Sequence, residues 1–495
     1  LWEASKRGRV VCLFVYEPEL LAAPDHDSSH LVFANQCLVS LRSSLRRMGG
    51  DLTLRVGRVP EVFDRLAEEL APAGGLEAIY SHEETGGDVS YRRDRQVARW
   101  SRRTGVRWIE LPQHGVVRPL RSRDGWAKRW HQRMAEPELD LPTALPGLDG
   151  ALPGFDHGQI LGPDALGLPA SGKEKAQPGG EERARRLLHG FLFERGENYR
   201  ADMSSPVEGW NGCSRLSPHL AFGSLSIRQV YRAARARRDE LKELPSDESI
   251  MRWRGSISSF LSRLRWHCHF MQKLEDEPAI EFRNMNRAYD DLRPRKPDPE
   301  RLAAWRSGRT GYPMVDACMR CLHSTGWINF RMRAMLASFA SYHLWLHWRE
   351  PAIYLARQFV DFEPGIHYSQ FQMQSGVTGI NTVRVYSPAK QVKDQDPTGA
   401  FVRRWLPELE AVPEKYLPEP HTMPELTQRM ANCRIGVDYP APIVDHRQAY
   451  REARERIFAV RRTDFAKEEA ARVYLKHGSR RRPTSGAGRG AAKAS

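Results

Sequence analysis

Two arginines, Arg331 and Arg333, close the run Gly326-Trp327-Ile328-Asn329-Phe330-Arg331-Met332-Arg333, and an acidic pair, Asp361 and Glu363, follows the next apolar stretch. On a helix, residues two apart project roughly 200° from each other, so one guanidinium can meet an outside partner while the other turns inward. An inward arginine requires a carboxylate or an anionic ligand, because an unpaired buried charge is costly. Asp361 and Glu363 are the available counter-charges; a solvated arginine beside an unrelated acidic turn is the competing reading. A second group, Cys213-Ser214-Arg215-Leu216-Ser217, precedes a helix opened by Ser226. Small hydroxyls and backbone amides ahead of helix starts suit phosphate oxygens, although ordinary capping uses the same residues. A third lies in a helical pattern over 256–274, where Arg263, Trp266 and His267 share a short span with Phe260 and Phe270. A tryptophan there either stacks on an unpaired base or fills a core.

Cys318-x-x-Cys321 has no second pair at zinc-site spacing, and His267, Cys268 and His269 lie elsewhere, so no metal centre is expected.

These residues need elements to hold them. Val10–Tyr16, 52–56, 78–81 and 106–111 read as short strands, and they alternate with helical patterns over 31–48, 60–70 and 90–103. That alternation predicts an α/β domain over 1–134, a doubly wound parallel sheet with ligands beyond the strands' C-terminal ends. No GxGxxG or Walker-type loop is present. The stretch 135–180 is rich in Pro, Gly, Leu and Asp and reads as an interdomain linker. From 181 to 477 the pattern is helical and nearly free of strand signals, which predicts an all-α domain, and the stretch from Ile328 to Trp348 reads as one long buried helix. Residues 478–495, with Arg480-Arg481-Arg482 and then Gly, Ala and Ser, read as a disordered basic tail.

Composition points to partners. The 495 residues carry 76 Lys+Arg against 61 Asp+Glu, formally +15, with a pI near 9.6. That excess favours a polyanion, unless it is a general habit of arginine-rich proteomes. Seven cysteines, odd in number, fit a reducing cytoplasmic setting. No apolar run of about 18 residues predicts a membrane span. The opening Leu1-Trp2-Glu3 has neither an initiator Met nor the apolar region of a signal peptide, as in a chain that starts part-way.

Four stretches occur together in order: Gly311-Tyr312-Pro313-Met314-Val315-Asp316-Ala317, Thr325-Gly326-Trp327, Asp361-x-Glu363, and Phe401-Val402-Arg403-Arg404-Trp405-Leu406-Pro407-Glu408-Leu409. With them the chain resembles the photolyase/cryptochrome family over nearly its whole length. The resemblance implies FAD in the helical domain. Its pyrophosphate would lie on Tyr199, Cys213, Ser214, Arg215, Leu216 and Ser217, with Cys213 in place of the family's threonine. His267 stands where the family has an arginine facing the flavin phosphates. Arg333, Asp361 and Glu363 would flank the isoalloxazine, with His367 near N5, where a histidine titrating near neutrality would set the flavin's redox state.

For DNA, the resemblance implies Trp266 as a stacking platform, Arg331 and Gln391 beside the strand, Trp305 on the pocket rim, and Arg263 and Phe330 in substrate-touching positions. Phe330 and Ala334 replace the two histidines of animal-type (6-4) photolyases. Arg384 and Lys390 add phosphate-seeking charge. Of the family's three electron-carrying tryptophans only Trp348 remains; Phe371 and Arg295 occupy the other positions. Tyr342, Trp345 and Tyr368 are candidates for a detour, and cellular reductants are the alternative.

His82-Glu83-Glu84-Thr85-Gly86 matches a signature of the antenna domain, but the family's opening strand with its Arg-Asp-Leu-Arg motif has no counterpart. Which antenna chromophore is bound, a deazaflavin, a folate or a flavin, stays open. The implied function is light-driven, FAD-dependent repair of cyclobutane pyrimidine dimers by a monomer. The alternatives are a cryptochrome-type blue-light sensor and a nucleic-acid-binding protein that keeps the fold without the photochemistry.

Overall fold

The computed structural model describes residues 1–145, 148 and 151–479; the remainder of the basic tail expectation, from 480 on, lies outside the described residues. In the first half, β1 (Cys12–Tyr16), α1 (Ser28–Arg47), β2 (Leu52–Val56), α2 (Val59–Leu70), β3 (Ala78–His82), α3 (Asp88–Thr104) and β4 (Arg107–Leu111) follow the predicted alternation. The strands pair in parallel as β1 with β2 and β3 with β4, and no ladder joins the two pairs among the described residues. This is where the missing strand shows. Strands of a continuous parallel sheet are buried on both faces, yet β3 has no fully buried residue and β1 only Tyr16.

The proline- and glycine-rich stretch is packed rather than free. Leu54 N donates to His157 O at 2.8 Å, and Leu145 is buried in the cluster of Leu31, Leu45, Leu52 and Leu54. Lys173 Nζ donates to Asp27 Oδ1 (2.7 Å) and to Arg357 O (2.9 Å), tying the stretch to both halves. The next helix, α4 (Trp126–Ala135), buries Trp126, Trp130 and Met134 in a cluster with Phe191, Tyr231, Phe260 and Leu264 of the helical half.

That half is built from α5 (Glu181–Gly190), α6 (Ile227–Glu243), α7 (Glu248–Asp276), α8 (Pro313–Thr325), α9 (Phe330–Ser338), α10 (Arg349–Gln358), α11 (Pro364–Gln374), α12 (Pro388–Gln395), α13 (His446–Arg461) and α14 (Asp464–His477), with shorter turns between. The single long helix expected over 328–348 is not formed. After α9 the chain widens into a π turn over Phe339–His343 and stops, with Trp345 at φ +54°. Wide turns of this kind re-aim side chains and concentrate at functional sites.

The family-like stretches 311–317 and 401–409 serve the scaffold. Asp316, fully buried, accepts from Thr310 N (2.8 Å), Thr310 Oγ1 (2.7 Å), Gly311 N (3.0 Å) and Tyr439 OH (2.7 Å). Gly311 sits at φ +77°, and a Cβ there would lie 2.5 Å from the Ala441 backbone. Glu408 takes a two-pronged pair from Arg320, at 3.0 and 2.6 Å, which locks α8 to the second stretch.

Candidate functional site

α9 and the turn before α11 bring the first group together. Arg333 donates from Nη1 and Nη2 to Asp361 Oδ1 and Oδ2, both at 2.8 Å, and from Nε to Ile328 O at 2.8 Å. The Asp361 side chain is 2% exposed, and the guanidinium lies 4.1 Å from the centre of the Phe359 ring. The inward arginine anticipated from the spacing is therefore present with its carboxylate. Arg331 projects elsewhere; it is half-buried and its Nε has no protein partner.

Glu363 caps α11, accepting from Gly365 N at 3.3 Å, and burial pushes its carboxyl up to about 8. One turn on, His367 Nε2 lies 2.8 Å from Ala352 O. A carbonyl only accepts, so the proton sits on Nε2 and Nδ1 keeps its lone pair. Burial lowers His367 to about 4, so the expectation that it titrates near neutrality is corrected: its ring is neutral at physiological pH. His267 is likewise lowered to about 4 by burial, beside His114, and brings no positive charge where the resemblance expects an arginine. Glu363, His367 and His267 are all half-buried.

The serine loop forms the second group. Arg195, at the end of a π turn over Phe191–Arg195, donates to Asn211 O (2.6 Å), Ser214 O (2.9 Å), Leu187 O (3.2 Å) and Cys213 O. These bonds fix the carbonyl side of the loop, and Tyr199 packs on Phe191 and Phe260. Arg215 adopts φ +60°, a left-handed conformation costing about 1–2 kcal/mol for a side chain with a Cβ. Its guanidinium is held between Trp210 (4.1 Å) and Trp327 (4.0 Å), its Nε has no protein partner, and it makes no ion pair among the described residues. Burial pulls it down to about 10, and the nearby Asp361 charge opposes that fall. Ser214 and Ser217 are half-buried, Leu216 is buried, and burial pushes the Cys213 thiol up to about 12, so it stays protonated.

The donor set fits a flavin dinucleotide. A buried cation without a carboxylate bond and two serine hydroxyls suit a pyrophosphate. The Arg333–Asp361 pair, Glu363 and an aromatic wall suit a flat polar ring.

On the outer side, Arg263 is exposed and makes no ion pair among the described residues. Trp266 is half-buried, stacked on Phe270 (5.6 Å, 30°) with its edge to His269. Phe330 is 49% exposed. Two bonds tie α9 and α7 to the turn 199–203: Asn329 Nδ2 donates to Met203 O (3.1 Å), and Arg200 N donates to Ser256 Oγ of α7 (3.2 Å). Arg384 and Lys390 are exposed.

Two positions differ from expectation. Trp305 is fully buried against Tyr354, so it cannot form a pocket rim. Gln391 is 5% exposed, packed beneath α12, and is not presented to a strand. Trp348 is buried, with Nε1 donating to Asn284 Oδ1 at 2.7 Å. Sequence reasoning missed Arg195 and Trp210; neither carries a local signal, because each acts through residues brought near by folding. No group of three potential metal ligands occurs among the described residues, nor any helix long and apolar enough to cross a membrane.

A parallel α/β half joined to a helical half that carries a buried cation, two serines and an acid pair fits a flavin-binding fold. The sequence matches the family described as FAD binding domain of DNA photolyase over residues 260–459, and that of DNA photolyase over residues 1–129. It is 31% identical over 468 residues to a deoxyribodipyrimidine photo-lyase of Streptomyces griseus, covering 89% of this chain and 91% of the relative. It is 28% identical over 462 residues to a cryptochrome DASH of Gloeobacter violaceus, covering 89% and 88%. Among solved structures, a bacterial class III photolyase from Agrobacterium tumefaciens superposes with TM-score 0.78 at 25% identity, covering 92% of this chain and 93% of that one. The chain belongs to the photolyase/cryptochrome family, and FAD is its cofactor.

Proposed function

We propose that this protein is a light-driven DNA photolyase that reverses cyclobutane pyrimidine dimers, working as a monomer in the cytoplasm. The observation that carries this is the half-open Trp266 on its Phe270 support, one helical turn from an exposed Arg263 that makes no ion pair among the described residues. Base–aromatic stacking of this kind is worth about 1–3 kcal/mol per base. Arg263 would hold the strand at a phosphate or a flipped base edge, and Arg331 a neighbouring phosphate. Reduced FAD, when bound and illuminated, supplies the electron that opens the dimer. Arg333, paired to Asp361, and the nearby Arg215 with the serine loop would together hold the cofactor. The apolar walls around His367 exclude water there. Relatives named deoxyribodipyrimidine photo-lyase at 26–31% identity support the reading.

A sensor role without repair is the second reading. It is favoured by Phe330, an exposed ring without hydrogen-bonding capacity where the resemblance has an asparagine, and by relatives named cryptochrome DASH. The deciding experiment illuminates the purified, reduced protein with DNA carrying one thymine dimer and quantifies the lesion. Light-dependent loss of the dimer is expected; an unchanged lesion favours the sensor.

A further inference from the structure

Aromatic rings run unbroken from Arg333 to the middle of the helical core. Phe359, under the Arg333 guanidinium, lies 6.0 Å from His367; His367 lies 5.5 Å from Tyr368; Tyr368 lies 6.3 Å from Trp348. Phe371 flanks the same histidine at 5.3 Å. Within this run only a phenol and an indole give up an electron readily, so Tyr368 and Trp348 are the two oxidisable stations. Their hydrogen bonds separate them. Trp348 Nε1 donates to the Asn284 side-chain carbonyl, which is no base. The Tyr368 hydroxyl donates to Asp25 Oδ2 at 2.7 Å, a carboxylate delivered from the α/β half just before α1. Both rings are at most 2% exposed, so water cannot take a proton from either.

A buried phenol surrenders an electron only if its proton leaves with it, because a phenol radical cation is too strong an acid to persist beside a carboxylate. We infer that Tyr368 is a redox-active residue, oxidised by the photoexcited oxidised flavin while its phenolic proton passes to Asp25. This rests on FAD lying beside Arg333 and Asp361. In the step the Tyr368 O–H bond breaks. One electron goes to the flavin, the proton forms an O–H bond on Asp25, and a neutral phenoxyl remains. Trp348, beyond Tyr368 in this run, keeps its N–H and is oxidised only when the phenol cannot release its proton, so the oxidising equivalent comes to rest on Tyr368. A small thiol in solution returns one electron, and Asp25 returns the proton. Glu281 and Arg349 of the helical half and Asp88 of the α/β half are the charged groups around the Tyr368–Asp25 pair. The relay thus stands in for the two missing tryptophans by borrowing a base from the other half of the molecule.

The test uses the full chain with oxidised FAD bound and no thiol, illuminated with blue light, freeze-quenched and read by electron paramagnetic resonance. Flavin content is measured first in every variant, so that cofactor loss is not read as relay loss. A tyrosyl signal is expected in the native chain, formed more slowly in heavy water and absent from Tyr368→Phe. Asp25→Asn keeps an acceptor but removes the base; it should lose the tyrosyl signal and leave a tryptophanyl one that the further change Trp348→Phe abolishes. A native chain showing only a tryptophanyl radical, or a tyrosyl signal that survives in flavin-loaded Tyr368→Phe, overturns the inference. A native chain that holds no flavin overturns the functional reading together with it.

Discussion

The α/β half and the helical half stabilise themselves by different means. The α/β half has small clusters, such as Leu31, Leu45, Leu52 and Leu54, under two separate strand pairs whose residues are largely half-exposed, and its polar side is tied by Arg93 to Glu17, Glu84 and Asp94. The helical half has two large clusters, and in the larger Met319, Met332, Met335, Leu336, Phe339 and Trp348 are almost entirely buried. The difference teaches where function can reside. A dense core can hold an aromatic wall and a buried ion pair in one geometry, whereas the looser half contributes single groups, His30 to Phe359 O (2.9 Å) and Asp25 to Tyr368, across the boundary.

That contrast breaks first under cavity creation. Phe339→Ala should cost about 3–5 kcal/mol and release the flavin, while Leu54→Ala should cost about 2–5 kcal/mol and leave flavin absorbance intact. Thermal unfolding followed by circular dichroism and by flavin fluorescence tells them apart; flavin release by Leu54→Ala would mean the halves unfold as one unit.

Asp361→Ala leaves the Arg333 guanidinium without its carboxylate, and about 3 kcal/mol of stability should be lost along with flavin retention. Unfolding by denaturant and the flavin-to-protein absorbance ratio measure both.

Acid should act next. His30 and His367 are lowered to about 4 and His343 to about 3, all chiefly by burial. Below the unfolded value near 6.5 the unfolded chain takes up protons that the folded chain refuses. Stability should therefore fall as pH drops from about 6.5 to 4, by up to about 1.4 kcal/mol per pH unit for each such ring. His343→Phe, which keeps the stacking on Phe339 (4.9 Å, 20°), should reduce that slope in melting curves taken across this window.

Arg195→Ala unpins the serine loop and should weaken flavin binding about tenfold, equivalent to about 1.4 kcal/mol, read by titration of the flavin-free chain. Smallest in its effect on the fold, Arg331→Ala should leave the melting temperature within error. It should lower the slope of log affinity against log salt for DNA by about one unit.

Much of this arrangement was legible because it is local. Strand positions came within two residues of those found, since short apolar runs between glycines admit little else. That an inward arginine would need Asp361 or Glu363 was legible because burying a guanidinium leaves few solutions, and the family resemblance chose Arg333 and Asp361. The break in the supposed helix over 328–348 was not, because a segment apolar on all sides has no periodicity to reveal where it ends. Trp305 and Gln391 misled for a related reason. A tryptophan or glutamine type does not say which side of a helix the neighbours will cover.

By itself the sequence determined the alternation of strands and helices, the excess of basic charge, and the need of any inward arginine for an acidic partner. Only the tertiary structure decided that His367 is neutral with its proton on Nε2, that Arg215 lies between two indoles, and that Tyr368 faces a carboxylate from the far half. Each of these depends on residues distant in the chain, and burial, which sets a proton's affinity, exists only once those residues have packed together.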